Sequence, residues 1–134
     1  MLRLCEIITA PSFMLIATLV LVSAGCADSE ELARVRAMPI NDVDLAGAAD
    51  GSYPGEFTYG KFKYVVMTTI HRQRITGIDV MANRKEWHAR KAEDVIPRII
   101  EAQTPNVDAV TGATTTSKAL MKAVEESLHK APRY

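Results

Sequence analysis

Lys61-Phe62-Lys63-Tyr64-Val65-Val66-Met67-Thr68-Thr69-Ile70 places Phe62, Tyr64, Val66, Thr68 and Ile70 on one parity and Lys61, Lys63, Val65, Met67 and Thr69 on the other. Successive side chains of a strand point to opposite faces, so this alternation predicts a half-buried β-strand with one face against a core. Upstream, Gly51-Ser52-Tyr53-Pro54-Gly55-Glu56-Phe57-Thr58-Tyr59-Gly60 carries aromatic residues punctuated by glycines and a proline, the composition of an irregular edge strand. Downstream, the polar run His71-Arg72-Gln73-Arg74 turns the chain without the Asn-Gly or Asp-Gly that marks a tight hairpin. Ile75, Ile78, Val80 and Ala82 follow, and their parity changes across Gly77, which a bulge there would explain.

After Asn83 the composition turns helical, with Glu86, Ala89, Lys91, Ala92, Glu93 and Ile96 before Pro97 and Ile99, Ile100 and Ala102 after it. Proline fits the first turn of a helix and not its interior, so Pro97 either kinks one helix or starts a second. Thr104-Pro105-Asn106-Val107 ends that helical region, with Trp87 and His88 in the loop or turn before it. In the last helix Leu120, Val124 and Leu128 recur at i, i+4 and i+8; Ala119 and Ala123 widen the face, and Lys122 can pair with Glu126 outside. Met67 and Met81 are assigned to the core, His71 and His129 to the surface. Strands first and helices after predict an α+β fold: one small antiparallel sheet followed by helices packed on one face.

The whole chain has 134 residues, 48% hydrophobic, with 16 basic residues balancing 16 acidic ones. Such a length allows one domain at most, and the neutral balance lacks the basic excess that nucleic-acid binding requires. The two cysteines, Cys5 and Cys26, are both N-terminal, so the body of the chain holds no internal disulfide and no Cys-based zinc site. Residues 7–25 carry no charge and follow Arg3, which reads as a targeting segment. Its end, Leu21-Val22-Ser23-Ala24-Gly25-Cys26, resembles a bacterial lipobox, in which Cys26 would take the lipid and become the mature N-terminus. An ordinary cleaved signal peptide and an uncleaved anchor are the alternatives, and each places the rest of the chain outside the cytoplasm. Residues 26–50 mix small, acidic and scattered apolar residues and are read as a tether with one short helical turn. The folded unit is then 51–131, about 80 residues, a size at which a core alone is marginal and a bound cofactor would help.

Chemistry concentrates in Asp108-Ala109-Val110-Thr111-Gly112-Ala113-Thr114-Thr115-Thr116-Ser117, just before the last helix. Taken alone it is a hydroxyl-rich N-terminal cap. It also suits a phosphate, because Gly112 lets the backbone come close, Ala113 adds no bulk, and free N–H groups at a helix start attract anions. The Walker spacing is absent.

The stretch from Asp108 to Ser117 closely resembles the flavinylation motif of the FMN-binding domain family, found in subunits of ion-pumping respiratory complexes. The resemblance continues over Asp50-Gly51-Ser52-Tyr53-Pro54-Gly55, Arg74-Ile75-Thr76-Gly77-Ile78, Ile99-Ile100-Glu101-Ala102-Gln103, and Lys118-Ala119-Leu120 with Ala123-Val124. It implies that a separate flavin transferase joins FMN through its phosphate to Thr114. Asp108 and Thr111 would shape the turn with Gly112 and Ala113, although Asp108 can also be read as a helix-stop residue bonding its own backbone. Thr115, Thr116 and Ser117 are candidates to bind the phosphate, one of them doubling as N-cap. His88 resembles a histidine of some short members and is a candidate for flavin contact; Trp87 is read as packing or as a ring contact. The Glu-Thr-Pro-Gly segment of many larger members is replaced by Asn83-Arg84-Lys85-Glu86-Trp87-His88.

The function so implied is that of a stand-alone, membrane-attached, extracytoplasmic electron carrier. Its FMN would pass electrons from a membrane-bound donor to an acceptor. Two alternatives stand beside it. One is a flavin-dependent reductase of a small substrate, for which His88 and Asp108 are the available acid–base pair. The other is a flavin-free envelope lipoprotein that binds a partner through its sheet edge or the Phe57–Tyr59 patch.

Overall fold

A computed structural model describes residues 26–134, and the targeting segment over residues 1–25 lies outside the described residues. Three strands, β1 (Gly51–Tyr59), β2 (Phe62–His71) and β3 (Arg74–Ala82), form an antiparallel meander in the order β1-β2-β3. Four helices complete the unit: α1 (Cys26–Ala37), α2 (Trp87–Ala92), α3 (Val95–Ala102) and α4 (Thr114–His129). The α+β architecture read from the sequence is the observed one.

The alternation in β2 places Tyr64, Val66, Thr68 and Ile70 in the core while their neighbours stay at least partly exposed. β1 is an edge strand, as is β3, and so tolerates Pro54; it pairs with β2 in unbroken register from Gly51↔Ile70 to Tyr59↔Phe62. The β2–β3 connection is a tight two-residue hairpin, although no glycine or asparagine marks it. Arg72 and Gln73 adopt φ of 51° and 59°, the left-handed pair that a type I′ turn needs. Asp50 braces it: one carboxylate oxygen accepts from Arg72 N at 2.6 Å and the other lies 2.7 Å from His71 Nδ1.

In β3 the register slips twice. Between Thr69↔Gly77 and Ile70↔Ile75 the residue passed over is Thr76, so the bulge lies beside Gly77 as the parity change requires. A second slip, between Val65↔Ala82 and Val66↔Val80, passes over Met81. This corrects the core assignment of Met81, which the bulge turns outward to 65% exposure. Met67 is partly buried, and His71 and His129 are exposed.

α4 crosses the inner face of β1 and β2, burying Ala119, Leu120, Met121, Ala123, Val124 and Leu128. Each large apolar side chain removed from water there contributes about 1.5–3 kcal/mol. The crossing is close where Gly55 meets Ala123 and Ser127, and the Ser127 hydroxyl lies 2.6 Å from Thr68 Oγ1. α3 starts just before Pro97, in keeping with a second helix rather than a kink. It ends at Gln103 in the left-handed conformation, whose side-chain amide accepts from Ile75 N at 2.8 Å and donates to Ile75 O at 2.9 Å. Trp87 and His88 are the first residues of α2 rather than part of a preceding loop.

The tether reading of residues 26–50 is also corrected. Residues 26–37 are helical, and Val35, Ile40, Val43 and Ala48 are buried in the same core as α4. Asn41 bonds Glu125 of α4 through both its backbone N and its side chain. Ala48 forms a bridge to Arg133, tying this segment to the C-terminal residues. Among the described residues no helix is long and apolar enough to cross a membrane.

Candidate functional site

Between α3 and α4 the chain makes a short loop whose shape follows from three residues. Val110 is buried and anchors it, Ala113 N donates back to Val110 O at 2.9 Å, and Gly112 takes the φ of +81° that closes the turn. Ser117 locks the turn from inside: its buried hydroxyl accepts from Val110 N at 3.1 Å and donates to Ala113 O at 2.9 Å. Ser117 is therefore committed to the loop, which corrects its reading as a phosphate ligand. The N-cap position is held by Ala113, with no side-chain cap, rather than by one of the three hydroxyl residues. A helix start without a cap leaves its first N–H groups without intrahelical partners.

Thr114 opens α4 with its side chain exposed on the wall of a cleft of about 570 Å³. Gly112, Ala113, Thr115 and Thr116 line the same wall, and α2 adds His88 and Ala89. Arg84 and Glu86 come from the β3–α2 connection, Tyr59 from the end of β1, and Leu32 and Arg36 from α1. Of the residues singled out in the sequence, the fold thus gathers Gly112, Ala113, Thr114, Thr115, Thr116 and His88. Asp108 and Thr111 are exposed but do not line this cleft; Asp108 borders a separate hollow, where its carbonyl accepts from Arg98 Nη1 at 3.1 Å. His88 and Asp108 consequently share no cleft, and the acid–base pair of the reductase alternative is not assembled. Trp87 is exposed, its ring against that of His88 with centroids 3.7 Å apart.

Sequence reasoning missed Tyr59, Arg84, Glu86, Leu32 and Arg36, which reach the cleft only through tertiary packing. Tyr59 stacks on Tyr64 at 5.6 Å and accepts a hydrogen bond from its hydroxyl at 3.1 Å. Burial and the Tyr59 hydroxyl push the Tyr64 phenol well above its ordinary range, so it stays protonated. The Arg84 guanidinium lies 3.8 Å from the Phe62 ring centroid and binds Glu86 at 2.6 Å. Burial alone would lower its pKa, but hydrogen bonds to Glu86 and Tyr59 outweigh that and raise it. Arg84 Nε is buried and has no hydrogen-bond partner. Glu86 is the one carboxylate among the described residues lining the cleft, and it is occupied by Arg84.

Among the described residues the cleft therefore offers an exposed hydroxyl, uncapped helix N–H groups, two arginines and an aromatic floor, with no free carboxylate beside Thr114. The sequence model of a family described as FMN-binding domain matches residues 59–129, from the cleft floor at Tyr59 to the end of α4. No curated protein matches the chain.

Proposed function

The chain belongs to the FMN-binding domain family, and from that we propose that it is an extracytoplasmic electron-transfer flavoprotein whose FMN is esterified through its phosphate to Thr114. The observation that carries the reading is the placement of Thr114, its side chain exposed on a cleft inside the family-matched segment. The residues present fit the cofactor. The volume of about 570 Å³ falls within the span of small-molecule sites. The left-handed Gly112 lets the backbone approach a phosphate, and Thr115 and Thr116 stand beside Thr114 on the cleft wall.

A phosphoester needs a hydroxyl oxygen, a base to take its proton and an activated donor: with a flavin dinucleotide as donor, the Thr114 oxygen forms the new P–O bond as the P–O–P bridge breaks and the other nucleoside monophosphate leaves. Glu86 is tied to Arg84, and the His88–Asp108 pair is not assembled, so the base is supplied from outside by a flavin transferase acting on an accessible turn. Tyr59, His88 and Leu32 provide the mixed apolar and polar surface that a flavin ring requires. When bound, FMN supplies the redox chemistry, and the chain's part is to hold and tune it. Export is supported by the uncharged residues 7–25 and the lipobox-like residues ending at Cys26. A covalent link suits that compartment, where dissociated FMN would diffuse away. The membrane-bound donor and the acceptor would meet the protein there.

The test is intact-mass analysis with in-gel flavin fluorescence on exported protein coexpressed with a flavin transferase. Unmodified protein is expected to carry one FMN adduct and Thr114→Ala none, with Thr114→Ser regaining at least part of it. A colourless unmodified protein overturns the proposal, and an adduct on Thr114→Ala moves the site elsewhere.

A further inference from the structure

One wall of the cleft comes from α1, which lies before the residues that define the family match. Arg36, in the last turn of that helix, lines the cleft together with Thr114, and its Nε donates to Thr115 Oγ1 across 2.9 Å. A guanidinium presents five N–H donors in a planar fork, and this bond uses one of them. The charge is also uncompensated. Among the described residues no carboxylate forms an ion pair with Arg36, whereas the other cleft arginine, Arg84, is neutralised by Glu86. A free guanidinium fork at a neutral hydroxyl, one residue along from the attachment threonine, has no structural need of its charge. Attachment of α1 is already served by buried Val35 and partly buried Leu32.

We infer that Arg36 holds the phosphate of the group attached at Thr114, so that α1 completes the cofactor site and is not merely packed beside it. The inference rests on the reading of Thr114 above. An FMN phosphate esterified to a threonine keeps one negative charge, and a guanidinium fork is the side chain best matched to its oxygens. In this role Arg36 touches the phosphate and not the ring.

Two substitutions separate this role from simple fastening of α1. Arg36→Gln keeps an N–H donor for Thr115 but no charge; Arg36→Lys keeps the charge but not the fork. Each is produced as full-length protein with a flavin transferase, its adduct is weighed, and the bound flavin is followed by time-resolved fluorescence anisotropy. Loss of a charged hydrogen bond is expected to raise the ratio of freely wobbling to held flavin about tenfold in Arg36→Gln, with Arg36→Lys between it and the unmodified protein, since it keeps the charge but not the fork. Failure of Arg36→Gln alone to accept FMN supports the inference equally, since the charge then acts during attachment. Adducts on all three proteins with identical anisotropy decays overturn it while leaving Thr114 as the site. Equal loosening or equal loss in both variants also overturns it, because charge would not be what matters. Absence of an adduct on the unmodified protein removes the reading of Thr114 and this inference together.

Discussion

Gly55 and Gly112 are both glycines for tertiary reasons, yet the reasons differ. A methyl group on Gly55 would lie 1.9 Å from Ala123 O and 2.7 Å from Ser127 N, both backbone atoms of α4 that cannot step aside. Gly55→Ala should therefore force the helix off the sheet and cost about 3 kcal/mol, a forecast that urea unfolding checks directly. At Gly112 there is room, the nearest atom being Lys91 Nζ at 3.7 Å, but φ is +81°. Gly112→Ala should cost only about 1–2 kcal/mol, the strain of a left-handed L-residue, and alter the presentation of Thr114 more than the unfolding midpoint. The sequence made the second glycine legible, because it sits in a motif with its own chemistry. Gly55 looked like a strand irregularity, since nothing local announces that a helix 68 residues later will press on it.

Elements differ in legibility for the same reason. β2 and α4 were readable because their periodicities are local and strong, and the hydroxyls of Thr68 and Ser127 that interrupt them satisfy each other at 2.6 Å. The stretch 38–50 was not, since Ile40, Val43 and Ala48 follow neither a helical nor a strand period and are buried singly in an irregular path. Part of its hold on α4 runs through Glu125. Burial pushes that carboxyl up, but Lys122 at 2.9 Å and both Asn41 donors outweigh it and keep its pKa below the ordinary value. A carboxyl lowered on folding stabilises above its unfolded pKa, and that contribution fades as the pH falls through the folded one. Glu125→Gln should thus be less stable than the parent by about 1–3 kcal/mol near neutrality, and the gap should close in acid. Denaturant midpoints at pH 7 and through the carboxylate range would show it, and a gap independent of pH would contradict it.

At the scale of the molecule, the core is shared between the family-matched segment and what precedes it. Removing residues 26–50 strips Val35, Ile40, Val43 and Ala48 from the interior, a loss of about 5 kcal/mol in a chain small enough that little more than that is available. A protein beginning at Gly51 should melt far below the longer one or fail to fold, which thermal circular dichroism would reveal; equal melting temperatures would refute the claim. The site shows the same division. Its hydroxyl loop could be recognised in the sequence, but Arg36, Tyr59 and Arg84 converge on it from three separate places and carry no shared pattern before folding.

The replacement of a tether by α1 changes how far the molecule could range when held at Cys26. Ten helical steps from Cys26 to Arg36 span about 15 Å, and that distance is fixed, where a flexible strand of 25 residues would wander over about 25–30 Å. If the chain were anchored at Cys26, a domain with α1 packed into its core could not sweep the space around that anchor as a flexibly tethered one would. With a lipid on Cys26, the mouth of the cleft would stay near the headgroups, and any partner of the cleft would have to arrive at the membrane surface.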